Sequence, residues 1–316
     1  MSMNQLASTA NIDRETWLHL RTKGIGGSDA AVVLGLSKWK TPFELYLEKS
    51  GLVIPEEIQS DAAYFGTQLE DLVAKEFEKR SGKKVRRKNA ILQHPEHEFI
   101  IANVDRMIVG EKAILECKTA SAYLAKEWEN DEIPESYIIQ IQHYLGVLGP
   151  EYKKGYFAVL IGGNKFVWKE IARDDELIEL IFQREIEFWN NHVLVNIPPA
   201  LDGSSAAEQY LKQRYNREEK GKSVDFTSEY KEKIDEYLEI KSSVKALEEQ
   251  MKEIENQIKY EMKDAELGFV KNYQTEWKSI TSNRVDTKKL KEHFPDIYTQ
   301  VVKESSYRKF GIKELI

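Results

Sequence analysis

The segment that most restricts the fold is Ala113-Ile114-Leu115-Glu116-Cys117-Lys118, where three apolar residues run straight into two charges separated by one position. A short apolar run of this kind, bounded by turn residues, predicts a buried central strand. Alternate side chains of a strand face opposite sides, so Glu116 and Lys118 share one face while Cys117 takes the other. Charge at the end of a buried strand is costly unless something compensates it. Two arrangements supply compensation: a cross-strand ion pair on a solvated sheet face, or a site that holds a cation.

The surroundings extend the strand reading. Between residues 83 and 118 the sequence consists of short Ile- and Val-rich runs, broken at His94-Pro95-Glu96-His97 and at Gly110-Glu111-Lys112. This predicts a meander of strands, with Asp105 and Glu116 on neighbours able to pair. His94 and His97 fit a proline-containing turn better than a metal site.

Helices precede and follow the strands. Residues 13–22 predict a short helix that stops before Gly24-Ile25-Gly26-Gly27, with Ser28-Asp29 placed to cap the next one. Thr41-Pro42 opens another, closed by Gly51. From Asp61 to Ser81, Phe65, Leu69, Leu72, Val73 and Phe77 recur at helical spacing and put Glu70 on the same element. Pro134 starts a helix whose predicted buried stripe is Ile138, Ile141, Leu145 and Leu148, with Gln140 off it. Two strand-like segments and a helix from Asp174 to about Val195 complete the series. Helices, three strands, a helix, two strands and a helix predict an α/β (α+β) fold, a mixed sheet with helices on its faces.

Ile197-Pro198-Pro199 marks the expected end of a core spanning 1–197, followed by a linker with a short helix over 198–228. In the extension, 229–316, residues Tyr237, Ile240, Val244, Leu247, Met251, Ile254 and Ile258 alternate three and four apart, predicting a coiled-coil-like helix of about three heptads. Assembly, partner docking and packing back on the core are all open to it.

Composition narrows the function classes. The 316 residues contain one cysteine, Cys117, which excludes internal disulfides and four-cysteine zinc or iron–sulfur centres. With no apolar stretch near the roughly 20 residues needed to span a bilayer, and no signal-peptide pattern at the start, a soluble cytoplasmic protein is expected. A net charge of −7 argues against a protein that coats nucleic acid. Yet residues 79–88 hold seven positive charges in ten positions, suited either to a solvated hairpin or to phosphate contacts.

Phosphodiester hydrolysis needs a polarised phosphate, an activated water and a stabilised leaving oxygen, which hard cations held by carboxylates supply. Asp105 and Glu116, with the Cys117 carbonyl, form such a donor set, and Lys118 on the face of Glu116 is placed to orient or deprotonate the water. The spacing, Asp-x10-Glu-x-Lys, is that of the PD-(D/E)xK nuclease motif, although the usual proline before the aspartate is absent.

Residues outside the motif add specificity. Trp17 to Arg21, Gly24 to Asp29, Phe65-Gly66-Thr67 with Glu70, Asp105, Glu116 to Lys118, and Tyr137 to Gln142 stand in an order that resembles the YqaJ-like viral recombinase family, relatives of phage lambda exonuclease. The resemblance covers about residues 13–195 and implies a restriction-endonuclease-like PD-(D/E)xK core, carried by a phage or prophage in a bacterial host. It implies magnesium, replaceable by manganese and bound as two ions, on Asp105, Glu116, the Cys117 carbonyl and Glu70. It further implies Lys118 acting on water, Gln140 hydrogen-bonding within the site, and Arg21 with Ser28 receiving a 5′-phosphate.

A glycine turn entering a helix offers N–H groups to an anion, and arginine adds a charge-assisted contact. The plainer alternative is that Ser28 only caps its helix and Arg21 is a surface charge. The activity implied is 5′–3′ digestion of duplex DNA with 5′-phosphorylated ends, leaving a 3′ strand for a RecT-type annealing protein, by a homo-oligomer that in lambda exonuclease is a ring. An endonuclease of the same fold and a non-catalytic DNA-binding protein are the alternatives. Gln142, His143 and Trp17 receive no catalytic role, Trp17 being read as a packing residue.

Overall fold

The computed structural model describes residues 4–53, 61–128, 133–283, 285–303 and 307–314. They form two compact units, 1–210 and 211–316, treated separately below.

The first unit is built on a five-stranded sheet. Its strands are β2 (Val85–Arg87), β5 (Arg106–Ile108), β6 (Ala113–Ala120), β7 (Lys154–Ile161) and β8 (Lys165–Ala172), in the spatial order β2-β5-β6-β7-β8. The β6–β7 pair is parallel and its crossover carries α5 (Glu135–Leu148), while the other neighbours are antiparallel. A parallel pair requires such a crossover, and the buried strand β6 occupies the predicted middle position. Strands β3 (Ala90–Gln93) and β4 (Ile101–Ala102) leave this sheet for a second one, in which β3 pairs with both β4 and β1 (Asn4–Ser8), a strand whose short mixed sequence gives no periodic signal.

The odd residues of β6 face α4 (Asp61–Ser81): Ala113, Leu115 and Cys117 pack with Val73, Ala74 and Phe77. Ile114 faces the other way, toward Ile141 and Leu145 of α5. Behind α5 lie α2 (Gly27–Val33) and α6 (Asp175–Phe188), where Ala30, Ala31 and Ile181 cover Ile139. Helix α5 is therefore enclosed between sheet and helices, and every residue from Ile139 to Leu148 is buried. The expected single stripe through Ile138 is too narrow: Ile138 is only half-buried, and Gln140 lies inside. On α4 the expected stripe is displaced in the opposite sense. Phe65 and Leu72 are exposed, because the sheet covers only the face of Val73 and Phe77.

Helices α1 (Arg14–Thr22) and α3 (Pro42–Lys49) follow their expected caps, Asp13 and Thr41. Between α1 and α2 the chain docks on β4. Ile25 N–H donates to the Phe99 carbonyl at 2.6 Å, and Ile101 N–H donates to the Ile25 carbonyl at 2.9 Å. Helix α2 is capped by Gly26 rather than by Ser28, with the Asp29 carboxylate accepting from Gly26 N–H at 3.1 Å. The unit continues past Pro199 into α7 (Ser205–Arg214), where Ala207 is buried and Tyr210 packs edge-on to Phe43.

In the second unit, α8 (Glu229–Met262) is a single 34-residue helix with no buried residue. It is followed by the hairpin β9 (Leu267–Val270) and β10 (Tyr273–Glu276), then α9 (Thr287–His293) and α10 (Pro295–Val301). Among the described residues, no helix is long and apolar enough to cross a membrane.

The docking of Ile25 beside β4 requires a glycine before it. A Cβ on Gly24 would stand 2.5 Å from the Phe99 carbonyl oxygen and 3.0 Å from Ile101. Gly24→Ala is expected to cost about 1–3 kcal/mol, as overpacking against backbone does. It should lower the urea midpoint without changing the m-value, and an unaltered midpoint would refute this account of the turn.

Candidate active site

Pairing between β5 and β6 ends at Arg106–Leu115. Beyond it the Cys117 amide, on the side that β5 has vacated, donates to Asp105 Oδ2 at 2.8 Å. Because the N–H and C=O of one strand residue point the same way, the Cys117 carbonyl opens on the same side. On the other face, Glu116 Oε1 accepts from both Lys118 Nζ at 2.8 Å and Gln140 Nε2 at 2.6 Å. Gln140 Nε2 also donates to the Tyr144 hydroxyl at 3.1 Å. Two donors thus meet one oxygen of a carboxylate that is 4% exposed, while its Oε2 is buried with no partner.

A single cavity of about 460 Å³ opens on these groups. It is lined by Asp105, Glu116, Cys117, Lys118, Glu70 and Gln140, and also by Arg21 and Ser28, so every residue given a site role in the sequence lines one cavity. Burial, then the Glu116 charge, pushes the Asp105 carboxyl well above the usual range. Burial opposes the Lys118 ammonium, but Glu116 and then Asp105 outweigh it and hold its pKa above the ordinary lysine value. Lys118 is therefore a cation here, suited to orienting water and steadying negative charge rather than to taking up a proton.

Glu70 enters the cavity from α4 under restraint. Its Oε1 accepts from Arg106 Nη1 at 2.5 Å, and the same nitrogen donates to the Asp105 carbonyl at 2.8 Å. Arg106 Nη2 reaches Asp71 at 2.6 Å, and Arg87 joins Asp71 at the same distance. Part of the basic segment is engaged in surface ion pairs: Arg80, Lys83 and Arg87 pair with Glu76, Glu111 and Asp71.

The donor set fits a hard cation. Two carboxylates repel each other at low exposure, one buried oxygen is unpartnered, and a backbone carbonyl faces the same opening. Among the described residues, no three Asp, Glu, His or Cys side chains converge at ligating distance. The pair Asp105 and Glu116, with the Cys117 carbonyl, is the candidate core of a metal site, and Glu70 is held aside by Arg106.

Arg21 Nη2 donates to Ser28 Oγ at 2.9 Å, and the guanidinium lies over Trp17, 4.9 Å from the ring centroid. Trp17 lines the cavity and packs against the Arg21 guanidinium. The anticipated offer of turn N–H groups is reduced, since Gly26 N–H is spent on Asp29. Asp29 itself is buried against Lys49 Nζ at 2.7 Å, and Lys49 also donates to the Arg21 carbonyl at 2.8 Å. A buried ion pair thus anchors the segment that presents Arg21 and Ser28. Gly27 packs flat on Tyr144, whose ring would lie 2.5 Å from a Cβ there.

Arg106, Tyr144 and Lys49 carry no signal of their own in the sequence, except that Tyr144 stands one helical turn after Gln140, while Asp29 is expected only as part of a helix cap and of the glycine-turn motif. Gln142 lies outside the cavity, bridging the Ala172 carbonyl and the Asp174 amide. His94 closes its turn by accepting from the Glu96 and His97 amides.

A model of the YqaJ-like viral recombinase domain matches residues 16–151. The YqaJ protein of Bacillus subtilis (strain 168) is 67% identical over 310 residues, which cover 98% of this chain and 97% of that protein. Among solved structures, an alkaline exonuclease from Laribacter hongkongensis is similar with a TM-score of 0.49 at 19% identity, covering 64% of this chain and 98% of that one. A phage-related exonuclease from Haemophilus somnus 129PT is similar with a TM-score of 0.42 at 15% identity, covering 54% of this chain and 94% of that one.

Behind the cavity, fully buried His143 joins Nδ1 to Glu185 Oε1 at 2.7 Å and donates Nε2–H to the Ile101 carbonyl at 2.8 Å. Burial favours the neutral imidazole, but Glu185 outweighs it and raises His143; burial likewise raises Glu185. Both shifts mean that the folded pair holds protons which the unfolded chain releases, so its contribution falls as pH rises through the folded values. Glu185→Gln leaves His143 without its counter-charge. It should cost about 3 kcal/mol near pH 5.5 and distinctly less near pH 8.5 in urea titrations. A cost equal at the two pH values would contradict the paired-proton description.

Proposed function

Because the chain belongs to the YqaJ-like viral recombinase family, we propose that its cavity hydrolyses duplex DNA from a 5′ end. The observation that carries this reading is the cavity that Asp105, Glu116 and Lys118 line together with Arg21 and Ser28. In this reading Asp105, Glu116 and the Cys117 carbonyl hold magnesium, or manganese in its place. Bound there, the cation neutralises phosphate charge and activates water.

The protein's own groups do the rest. Gln140 and Lys118 fix Glu116 through one oxygen and leave the other without a hydrogen bond among the described residues. The Lys118 ammonium orients the attacking water and offsets the charge that develops on the phosphorane-like oxygens. Arg106 keeps Glu70 within Coulombic reach of Asp105, where it can complete the set around a second ion. Arg21 grips a terminal phosphate with charge-assisted hydrogen bonds, seconded by the Ser28 hydroxyl. Anchoring the terminus sets which phosphodiester reaches Lys118, and so gives cleavage a 5′-to-3′ direction. The 3′ single strand left behind is the form of DNA that a RecT-type annealing protein takes up for recombination.

End-labelled linear duplex with 5′-phosphates and a covalently closed circle of the same sequence separate exonuclease from endonuclease. The linear DNA should be degraded from its 5′ ends and the circle left intact, whereas cutting of the circle would favour the endonuclease. Lys118→Ala should lower turnover about 10²- to 10⁴-fold with DNA affinity nearly unchanged, and normal turnover in that variant would remove Lys118 from the chemistry. Arg21→Ala should erase most of the preference for 5′-phosphorylated over 5′-hydroxyl ends, as read from the ratio of kcat/KM values. An unchanged ratio would leave Arg21 without its assigned role.

A further inference from the structure

We propose that α8 is a self-association element, pairing in parallel with α8 of a second copy of this chain. Seven residues, Tyr237, Ile240, Val244, Leu247, Met251, Ile254 and Ile258, form its apolar seam, and each is between 43% and 69% exposed. The seam covers 22 positions, roughly 33 Å of helix.

The pattern specifies what covers it. A helix that packs on a globular core carries a broad apolar face, whereas a strict three-four alternation makes the narrow seam of a coiled coil. The flanking positions here are polar: Lys241, Glu248 and Glu255 on one side, Glu236, Ser243, Gln250 and Gln257 on the other. The opposite face carries i,i+4 ion pairs, Lys231 with Asp235 and Lys245 with Glu249, as a solvated surface does. A seam of this width accepts a helix with the same repeat, which a second copy supplies by identity.

The flanking charges accommodate a parallel pair that keeps all seven seam positions in register. In a parallel, in-register pair the flanking contacts set Glu236 against Lys241 of the second copy, twice by symmetry. The next contacts are Ser243 with Glu248 and Gln250 with Glu255, so no like charges meet. Reversing one helix about the centre of the seam sets Glu248 against Glu248.

The proposal needs no nuclease activity, so its failure leaves the catalytic reading untouched. Sedimentation of the full-length chain tests it first. The wild type should be oligomeric at micromolar concentration, and Leu247→Glu with Ile254→Glu should weaken association at least tenfold. A monomeric wild type, or an oligomer indifferent to the double substitution, would overturn the proposal. Cysteine cross-linking tests it in a chain whose seam is otherwise intact, native Cys117 being buried. Oxidised Ile240→Cys should give a disulfide-linked dimer, while Lys245→Cys on the outer face should not. Equal or absent cross-linking at both positions would mean that another surface, of this chain or of a different protein, covers the seam.

Discussion

Strand β6 loses its β5 neighbour after Leu115, and the Cys117 amide turns to the Asp105 carboxylate instead. That substitution of a carboxylate for a strand governs the catalytic unit. It brings Asp105 within Coulombic range of Glu116, leaves the Cys117 carbonyl open, and places both acids where burial makes their charges expensive. The surrounding polar side chains follow from this strain. Lys118 and Gln140 answer Glu116, and Arg106 answers Glu70 and Asp71 while holding the Asp105 carbonyl.

The sheet was legible because strand burial leaves a compositional trace. The run Ala113 to Leu115 marked a central strand, and the alternation of Glu116, Cys117 and Lys118 across its faces is the one observed. The strand Asn4–Ser8 was not legible, since its partner β3 makes it a strand and its residues do not. Burial on helices was read less well for a related reason. Periodicity reports one apolar face, but α5 is covered on all sides and α4 only where β6 and β7 end. Gln140 therefore seemed to sit off a buried stripe, when a fully enclosed helix has no outside for it.

The site residues separate along the same line. Asp105, Glu116 and Lys118 are close in sequence and share one strand pair, so spacing alone brings them together. Arg21, Ser28, Glu70 and Gln140 come from four helices, and the order of motifs rather than any local pattern picked them out. The groups that hold those residues escaped notice altogether. Lys49 looks like an ordinary helix lysine until Asp29 is found buried against it, and Arg106 like an ordinary strand charge until it is found joining α4 to β5. Support of this kind depends on distances between elements, which a one-dimensional pattern does not encode.

Two buried oxygens lack a partner among the described residues, Glu116 Oε2 and Glu185 Oε2, and the contrast between them is instructive. Glu185 is sealed in the core, where a histidine 2.7 Å away shares its proton and leaves the pair neutral overall in either tautomer. Its idle oxygen is a cost that the anchoring of α5 to α6 offsets. Glu116 lines a cavity, and both of its donors crowd one oxygen while the other is buried without a partner. A carboxylate placed only for stability would divide its donors between its oxygens. Leaving one bare beside a second repelling carboxylate gains nothing for the folded chain alone. A cation shared between the two acids would offset that cost, as the proposed metal site requires.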